Sequence, residues 1–415
     1  MAHKNTHGPN GAEGVTAELV DNLLPRAPGR FAHMDASHAP GQQEEAADLG
    51  GPRAVDFSHG DVNAFPPAPD AVAAVRRAID EGATWAYSPY RGHRIVRSAL
   101  AERLGRLTDA DIDPASELLV SAGTQASLYL AMSSIVERGD DVAIATPDYF
   151  AYRKIARYLE ARPVEVPLSY RDSDRPGLLD LEVLDRTFAA GSRLLVFSNP
   201  NNPTGVIYDA DHLADINAIA QAHGAQVIVD QLYCRQIFDG RPFPHMRGLP
   251  GASSRVTTLV GPSKTESLSG FRLGVSIGPR EVISRMESLQ GIVTLRAPGY
   301  SQAALMTWLV EPDGWLDSRV AAHQRIRDDI ADAIHGSRSV WARLTEGGSY
   351  MFLHAAATEG RLDEFVDRLR VEHGVTVTRG FEFGEHTDAV RLNFSQDHAA
   401  AVAAVKRLVD FADRF

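Results

Sequence analysis

The stretch VTTLVGPSKTESLSGFRLGV, residues 256–275, places one lysine, Lys264, directly after an apolar run. Lysine side chains are normally exposed, and a segment this apolar and rich in glycine is not typical of a solvated face. Ser263 precedes the lysine, and Arg272 follows it eight residues later. We therefore interpret Lys264 as a residue whose amine is required for chemistry.

The apolar run that opens this stretch is one of several along the chain, and helix-length stretches separate most of them. The runs are ELLVSAG (117–123), DVAIATP (141–147), PVEVPL (163–168), RLLVFSNP (193–200), AQVIVDQ (225–231) and VTTLVGPS (256–263). Strands that alternate with helices form a mainly parallel sheet with helices on both faces. Ligands bind such a sheet at the carboxyl ends of its strands, where most of the unusual residues of this chain fall. The predicted fold class is α/β.

Length and pattern predict more than one domain. The chain has 415 residues, which exceeds what one hydrophobic core usually supports. We expect a flexible arm over residues 1–50, which are polar apart from the short amphipathic run VTAELVDNLL. We expect a large domain over residues 51–310, with residues 51–70 on its substrate side, and a smaller α+β domain over residues 311–415.

The smaller domain is predicted from a change of pattern. The stretch RVAAHQRIRDDIADAIHGSRSVWARL (319–344) predicts one long helix. Two short strands, GSYMFLHA (348–355) and AVRLNFS (389–395), and a final helix, AAAVAAVKRLVDFADRF (399–415), follow it. This mixture of elements is typical of an α+β unit.

Charge and composition restrict the partners. The formal net charge of −12 argues against nucleic acid, because such binding depends on lysine and arginine at phosphates. No apolar run approaches the roughly 20 residues of a membrane helix, and the N-terminus is polar rather than signal-like. The single Cys234 fits a reducing cytoplasm, so we expect a cytoplasmic protein. His3, His7, His33 and His38 are irregularly spaced with no cysteine among them, so we expect no metal site.

Four other segments at predicted strand ends carry polar or aromatic residues. SAGTQAS (121–127) offers free backbone N–H groups at a helix N-terminus, where an anion binds. TPDYFAY (146–152) offers Tyr149 and Tyr152 as rings that can stack on a flat cofactor. SNPNNPTG (198–205) predicts a rigid turn that aims an amide inward. VIVDQLY (227–233) ends a buried strand with a carboxylate, which is costly unless it faces a cation.

One cofactor satisfies all of these segments together. Pyridoxal 5'-phosphate carries a phosphate, an aromatic ring, a phenolic oxygen, a protonated ring nitrogen and an aldehyde. Lys264 would hold the aldehyde as a Schiff base, and Asp230 would keep the ring nitrogen protonated, so that the ring acts as an electron sink. The sequence therefore predicts this cofactor.

The chain resembles the class I/II aminotransferases of the fold type I pyridoxal-phosphate superfamily, the group of aspartate aminotransferase, over roughly residues 50–415. The resemblance implies a large domain with a sheet of the seven-stranded type. SNPNNPTG matches the family's N-P-x-N-P-T-G, which implies that Asn202 bonds to the phenolic oxygen of the cofactor. DQLY matches D-x-x-Y, which implies Asp230 at the ring nitrogen and Tyr233 at the same phenolic oxygen.

Further matches concern the phosphate and the subunit contact. SKTESLSGFRLG matches S-K-x(5)-G-x-R-x-G, which implies Lys264 as the Schiff base and Ser263 and Arg272 at the phosphate. The segment WAYSPYRG resembles the stretch in which a tyrosine, here Tyr87, reaches the phosphate of the partner subunit, which implies a homodimer with shared active sites. The resemblance also implies four further cofactor contacts: Gly123, Thr124, Gln125 and Tyr149.

The substrate side shows three more matches. AVRLNFS resembles the strand whose arginine grips the substrate α-carboxylate, which implies this role for Arg391. FSHGDVNAFPP resembles the stretch whose glycine approaches the same carboxylate, here Gly60, with His59 beside it. TLRAPGYSQ resembles the loop by which aspartate aminotransferases supply an arginine across the dimer to a distal carboxylate, which implies Arg296 as a reader of the substrate side chain.

The sequence departs from the family pattern at three places. Gly261 stands where the family usually has a serine or threonine on the phosphate, so one hydroxyl is missing or replaced. His59 stands where a small residue is common, and is either a pocket residue or the cap of a turn. Tyr90 and Arg91 replace small residues in a turn, where they either line a specialised pocket or, for Arg91, form a surface salt bridge.

These features predict an enzyme of amino acid metabolism or biosynthesis that moves the amino group of an L-amino acid to a 2-oxo acid. Lys264, Asp230 and Tyr233 are the predicted catalytic residues, with Lys264 moving the Cα proton. One alternative stays open, because this fold hosts several reactions. In it, the enzyme is a lyase or cyclase that performs γ-elimination, replacement or annulation, for example on S-adenosylmethionine, or that oxidises an arginine-like substrate.

Overall fold

The fold was analysed in a computed structural model that describes residues 54–82, 86–172 and 176–415. The predicted N-terminal arm, its amphipathic run and the four histidines named above lie outside these residues. No helix in the described ranges is both long and apolar enough to cross a membrane.

The described residues form ten α-helices and fourteen β-strands. The helices are α1 (Pro69–Asp80), α2 (Arg94–Thr108), α3 (Thr124–Ile135), α4 (Ala151–Tyr158), α5 (Leu181–Ala189), α6 (Ala210–Ala222), α7 (Arg280–Val293), α8 (Trp315–Ile334), α9 (Leu362–His373) and α10 (His398–Ala412). The strands are β1 (Val55–Asp56), β2 (Leu118–Ser121), β3 (Asp141–Thr146), β4 (Arg162–Ser169), β5 (Leu178–Leu179), β6 (Leu194–Ser198), β7 (Gln226–Asp230), β8 (Val256–Val260), β9 (Gly274–Ile277), β10 (Val340–Ala342), β11 (Tyr350–Ala355), β12 (Val375–Thr376), β13 (Thr378–Arg379) and β14 (Ala389–Asn393).

The largest sheet has eight strands in the order β2-β9-β8-β7-β6-β3-β4-β5. Strands β8, β7, β6, β3 and β4 are parallel, and β9 lies antiparallel between β2 and β8. The predicted mainly parallel α/β sheet is therefore confirmed. The eighth strand beyond the expected seven is β5, a two-residue strand that pairs antiparallel with β4 at one edge.

Both faces of this sheet are covered because its strands are apolar at successive positions. One hydrophobic core contains Leu195, Phe197, Val227 and Val229, and a second core contains Leu194, Val196 and Ile228. Adjacent residues of a strand point to opposite faces, so β6 and β7 contribute to both cores. Helices therefore pack on each face, as expected for a parallel sheet.

The carboxyl ends of the parallel strands meet at one edge. These ends are Ser121 of β2, Thr146 of β3, Ser198 of β6, Asp230 of β7 and Val260 of β8. Strand β2 runs in the same direction as β8 because both pair antiparallel with β9. The segments that follow these strands, which include every cofactor motif of the sequence except the one with Tyr87, are thereby brought together.

A second, antiparallel sheet has the order β10-β11-β14-β13 and shares a hydrophobic core with α8, α9 and α10. The single long helix predicted over residues 319–344 was wrong at its C-terminal end. Helix α8 ends at Ile334, and Gly336 adopts a left-handed φ of 86°, which lets the chain turn back into β10. The division into domains at residue 310 stays a prediction.

Polar contacts join the two sheets beside β4. Tyr170 follows β4, and its hydroxyl lies 2.9 Å from Nε2 of His354 in β11. The other ring nitrogen of His354 lies 3.1 Å from the Asp388 carboxylate, which also accepts hydrogen bonds from Arg171 at 3.2 Å. This chain of contacts links the end of β4 to the start of β14.

Candidate active site

A cavity of about 160 Å³ lies at the edge where the parallel strands end. It is lined by nine of the predicted cofactor residues: Thr124, Gln125, Tyr149, Asn202, Asp230, Tyr233, Ser263, Lys264 and Arg272. Tyr152 also lines it, together with Ser198 and Tyr350, which were not predicted as site residues.

Asp230 ends β7 and borders this cavity. Its carboxylate accepts hydrogen bonds from the backbone N–H of Leu232 at 3.1 Å and from the Tyr152 hydroxyl at 3.2 Å. Burial raises the pKa of Asp230 to about 6, although these two bonds and the charge of Lys264 oppose the rise. A carboxylate in such surroundings is stabilised by a cation in the cavity, which is what a protonated ring nitrogen would supply.

Asp148 is a second buried carboxyl that sequence reasoning passed over. It accepts hydrogen bonds from the backbone N–H of Ser198 at 2.9 Å, the Ser198 hydroxyl at 2.5 Å and the backbone N–H of Tyr149 at 2.7 Å. Burial raises its pKa to about 8. Ser198 Oγ in turn accepts a bond from the backbone N–H of Asn202, so Asp148 ties together the loops that carry Tyr149 and Asn202. The sequence did offer a signal for Asp148, because a charged residue stands between the end of β3 and the predicted cofactor residue Tyr149.

The N-terminus of α3 and Arg272 form a cradle for an anion. Gly123 precedes the helix with a φ of 98°, and a Cβ at this position would lie 2.3 Å from a guanidinium nitrogen of Arg272. The glycine is therefore required for the close approach of the arginine. The Arg272 side chain also donates to the Ser269 carbonyl at 2.8 Å, and the buried Thr124 hydroxyl has no hydrogen-bond partner in the part of the chain that the structure describes. An unpaired buried hydroxyl beside a guanidinium fits a phosphate.

The structure explains the departure at Gly261. A Cβ at Gly261 would lie 2.9 Å from Thr124 Oγ1 and 3.2 Å from the Leu273 carbonyl oxygen. The hydroxyl that the family usually places at residue 261 therefore has no room. The Thr124 hydroxyl occupies the neighbouring space and is available in its place.

Arg391 lies in β14 and is 4% exposed. Its guanidinium donates to Asn202 Oδ1 at 3.1 Å, the Ser58 carbonyl at 3.0 Å and Thr378 Oγ1 at 3.2 Å. Its Nε is buried and has no partner among the described residues. The three acceptors are neutral, so a substrate carboxylate would be a stronger partner for this arginine than its present ones.

The stretch around Gly60 lines a second, smaller cavity beside Lys264. Gly60, Lys264, Tyr233 and Ser395 line a second cavity of about 40 Å³. A Cβ at Gly60 would lie 3.3 Å from the Ser395 Cβ, so this stretch packs closely on the segment after β14. Lys264 and Tyr233 therefore line both cavities.

The His59 side chain is 71% exposed and lines neither cavity. Its Nδ1 lies 3.0 Å from the Ser58 hydroxyl and 3.5 Å from the Asp56 carboxylate. These contacts are with neighbouring side chains, and both interpretations of His59 stay predictions.

Tyr87, Tyr90 and Arg296 form a cluster away from the cavity of their own chain. The Arg296 guanidinium lies 4.5 Å from the Tyr87 ring and 4.3 Å from the Tyr90 ring. Tyr87 is 78% exposed. Arg91 pairs with Glu287 at 2.6 Å, so the salt-bridge interpretation of Arg91 is confirmed.

Tyr350 in β11 is the main site residue that sequence reasoning missed. Its hydroxyl accepts a hydrogen bond from the Tyr233 hydroxyl at 2.7 Å. Burial raises the pKa of Tyr233 well above its ordinary value. Burial also acts to raise the pKa of Tyr350, but the charges of Lys264 and Arg391 and the bond from Tyr233 together lower it. No motif indicated Tyr350, because it lies in an apolar run whose pattern predicts only a buried strand.

A mainly parallel sheet whose strand ends bring a lysine, an aspartate and an anion cradle to one cavity defines a fold type I pyridoxal-phosphate enzyme. The chain belongs to the aminotransferase class I and II family, whose sequence model matches residues 53–408. Members of this family depend on pyridoxal phosphate.

Individual relatives support the same assignment. The arginine–pyruvate transaminase of Pseudomonas aeruginosa is 29% identical, over 79% of this chain and 82% of its own length. A solved aspartate aminotransferase of Rhodobacter sphaeroides is 48% identical, with a TM-score of 0.85 over 88% of this chain and 92% of that chain. The aspartate aminotransferase of Thermus thermophilus solved with maleate is 25% identical, with a TM-score of 0.84 over 94% of this chain and 99% of that chain. The protein is therefore similar to aminotransferases along most of its length.

Proposed function

We propose that this enzyme binds pyridoxal 5'-phosphate in the larger cavity and transfers the amino group of an L-amino acid to a 2-oxo acid. The observation that carries the proposal is that Lys264 lines both the larger cavity and the smaller one beside Gly60. An amine in this place contacts a cofactor on one side and a substrate on the other. The relatives named above all carry aminotransferase names, which supports this reaction over γ-chemistry on S-adenosylmethionine.

The residues present fit this cofactor. The unpaired Thr124 hydroxyl, Arg272, Ser263 and the α3 N-terminus after Gly123 would hold its phosphate. In the same cavity Asp230 would face the ring nitrogen, Asn202 and Tyr233 the phenolic oxygen, Tyr149 the ring and Lys264 the aldehyde. When bound, the cofactor supplies an aldehyde that condenses with amines and a ring that accepts the electron pair released at Cα.

Each side chain then has a distinct task. Arg391 exchanges its neutral acceptors for the substrate α-carboxylate, a bidentate bond that orients the substrate at Cα. The Lys264 amine takes the Cα proton and later returns one, which requires it to be within hydrogen-bond reach of Cα. The protonated ring nitrogen would lower the pKa of Asp230, against the effect of burial, and so keep the carboxylate ionised.

The second substrate is proposed to be dicarboxylic. A solved relative is an aspartate aminotransferase with maleate, a dicarboxylate. Arg296 would read the distal carboxylate, and it does so across a subunit boundary because it does not line the cavity of its own chain. Tyr87 from the same cluster would reach the partner's phosphate.

A homodimer with shared active sites is proposed from one exposed apolar surface. Its exposed members are Tyr87 (78%), Tyr90 (42%), Ile95 (70%), Ile292 (82%), Val293 (50%), Leu295 (37%) and Tyr300 (46%). The two segments that carry them are joined by a hydrogen bond from the Ser88 hydroxyl to the Ala297 carbonyl at 3.1 Å. Exposed apolar residues gathered on two segments that contact each other favour a protein interface. We also propose a cytoplasmic location, because Cys234 is a free, buried thiol.

Amino transfer is tested by loading the protein with pyridoxal phosphate and adding single amino acids. Conversion of the bound cofactor to pyridoxamine phosphate, reversed by a 2-oxo acid, is the expected result. If no amino acid yields pyridoxamine phosphate while S-adenosylmethionine alters the cofactor spectrum, amino transfer is excluded.

Sharing of the sites is tested with hybrid dimers. Lys264→Ala and Arg296→Ala subunits, each inactive toward a dicarboxylic substrate, are mixed and allowed to exchange. One site of the hybrid then has an intact lysine and an intact partner arginine, so activity reappears. Mixtures that stay inactive although subunits have exchanged would show that each chain forms its site alone.

A further inference from the structure

The segment that carries Tyr350 is fixed to the loop after β7. The backbone N–H of Gly348 donates to the Gln236 carbonyl at 2.8 Å, and the Gln236 side chain donates to Ser349 Oγ at 2.8 Å. Gly348 has a φ of 82°, and a Cβ there would lie 3.4 Å from the Tyr233 ring. The backbone on both sides of the Tyr233–Tyr350 contact is therefore held in place independently of that contact.

The two phenols form a buried pair at the cavity wall. Tyr233 and Tyr350 are each 5% exposed, and their rings meet edge to face with centroids 5.2 Å apart. The Tyr233 hydroxyl donates to the Tyr350 hydroxyl at 2.7 Å. A phenol has a single proton to donate, so Tyr233 has no proton left for another acceptor while this bond exists. Tyr350 keeps its own proton and borders the cavity that contains Lys264.

Charged groups surround the pair on several sides. The titratable groups that face Tyr350 are Asp230 and Tyr233 from β7 and its loop, Lys264 from the loop after β8, Tyr149 from the loop after β3 and Arg391 from β14. The Arg391 guanidinium lies 4.4 Å from the centre of the Tyr350 ring. The two cations, Lys264 and Arg391, offset the effect of burial and lower the pKa of Tyr350. Tyr350 is therefore the more acidic of the two phenols, and it becomes the stronger donor once Tyr233 turns its own proton away.

We propose that Tyr350 is a positioning residue that acts through Tyr233 by reversing the hydrogen bond between them when the cofactor binds. The inference rests on the proposed function, in which Tyr233 donates to the phenolic oxygen of the cofactor. To do so Tyr233 must withdraw its proton from Tyr350, and Tyr350 then donates to Tyr233. Two hydroxyls in series polarise each other, so the bond to the cofactor oxygen becomes stronger than one phenol alone provides.

The first test uses cofactor-free protein and ultraviolet difference absorbance to follow tyrosine ionisation. The wild type is expected to show one phenol that ionises below the ordinary tyrosine pKa of about 10. Tyr350→Phe removes this step, and Tyr233→Phe moves it to higher pH because the donated bond is lost. Tyr208→Phe is the matched control, since the Tyr208 hydroxyl is buried and has no partner among the described residues. If the low step persists in Tyr350→Phe, the inference is overturned.

The second test uses cofactor-loaded protein and the pH dependence of its visible absorbance. A stronger bond to the phenolic oxygen stabilises its anionic form, so the linkage between Lys264 and the cofactor loses its proton more easily. In Tyr350→Phe the spectral midpoint should therefore move to higher pH. We also expect kcat to fall about three- to tenfold with KM nearly unchanged, as for the loss of one hydrogen bond. An unchanged midpoint with unchanged kcat would overturn the inference.

The two tests separate this inference from the proposed function. Ionisation of Tyr350 in cofactor-free protein does not depend on any reaction. A protein that shows both Tyr350 effects but transfers no amino group would refute amino transfer and support the pair. If the enzyme transfers amino groups but Tyr350→Phe shows the same tyrosine ionisation and the same spectral midpoint as the wild type, the proposed role of Tyr350 is refuted and amino transfer is not. Tyr350→Phe removes a single oxygen, and circular dichroism confirms that the variant is folded.

Discussion

The eight-stranded sheet and the four-stranded sheet contribute to the site in different ways. The larger sheet supplies every predicted cofactor residue of the cavity, from loops that follow its parallel strands. The smaller sheet supplies Arg391 and Tyr350, which project from the middle and start of antiparallel strands. Under the proposed function, the chemistry comes from residues at strand ends, and the substrate is oriented by side chains within strands. The difference predicts that damage to each sheet will have a different kinetic signature.

Removal of Lys264, in the loop after β8 of the larger sheet, should have the largest effect on activity. Lys264→Ala loses both the covalent anchor and the base that moves the Cα proton, so we expect kcat to fall by on the order of a thousandfold or more. The protein should still bind the cofactor through the phosphate cradle. Borohydride reduction followed by mass spectrometry is the check, because a covalent cofactor adduct retained in this variant would contradict the role of Lys264.

A change in the phosphate cradle should weaken cofactor binding strongly. In Gly123→Ala the new Cβ would lie 2.3 Å from Arg272 at a φ of 98°, so either the arginine or the turn must move. A cost of about 2–3 kcal/mol corresponds to roughly 30- to 160-fold weaker binding of pyridoxal phosphate in an equilibrium titration. The matched control is Gly270→Ala, where a Cβ would contact nothing within 4 Å. Equal affinities for the two variants would remove the steric argument.

A conservative change in the smaller sheet should leave cofactor affinity intact. Arg391→Lys keeps the charge but loses the bidentate fork, so KM for the amino acid should rise by about ten- to thirtyfold, equivalent to about 1.5–2 kcal/mol. Arg379→Lys is the control, because Arg379 lies one strand away and pairs with the surface residues Asp363 and Asp367. A loss of cofactor affinity in Arg391→Lys would contradict the view that the larger sheet binds the cofactor and the smaller sheet orients the substrate.

The junction between the sheets should show the smallest effect, and it should depend on pH. The hydrogen bond from His354, with a contribution from Arg171, lowers the pKa of Asp388 to about 2, below the unfolded value of about 3.9. A lowered carboxyl pKa stabilises the folded state above the unfolded pKa, and this contribution is lost as pH falls from about 4 to 2. Asp388→Asn should therefore cost about 1 kcal/mol near pH 6, after allowance for partial exposure to solvent.

Chemical denaturation at several pH values checks this prediction. The difference in free energy of unfolding between wild type and Asp388→Asn should close as the pH approaches 2. The same change at Asp332, an exposed residue of α8, serves as the control and should show no such closure. A difference that stays constant with pH would mean that Asp388 acts through packing rather than through its charge.

Much of the larger sheet was predictable, because its strands are short apolar runs with characteristic residues directly after them. Asn202, Asp230 and Lys264 each follow such a run, and the rule that parallel strands end at one edge brings them together. Strand β9 was not predicted, because no α-helix separates it from β8 and the alternation of strands and helices therefore does not mark it.

The contribution of the smaller sheet was only partly predictable. Arg391 was found by a motif, whereas Tyr350 was not, because its partner Tyr233 lies 117 positions away in sequence and on the other sheet. Such a pair depends on how two sheets approach each other, which hydrophobic periodicity does not encode. The end of α8 at Ile334 was missed for a local reason, since the apolar spacing continues beyond the glycine that ends the helix.

The crowding between Gly261 and Thr124 makes these two positions epistatic. Serine at residue 261 collides with Thr124 Oγ1, whose β-branched side chain has little freedom to turn away. Thr124→Ala removes that collision and leaves only the 3.2 Å approach to the Leu273 carbonyl oxygen. A mutational path that moves the phosphate hydroxyl back to residue 261 must therefore begin at residue 124, and its first intermediate lacks the hydroxyl altogether. One steric contact thus sets the order in which the two substitutions can occur during evolution.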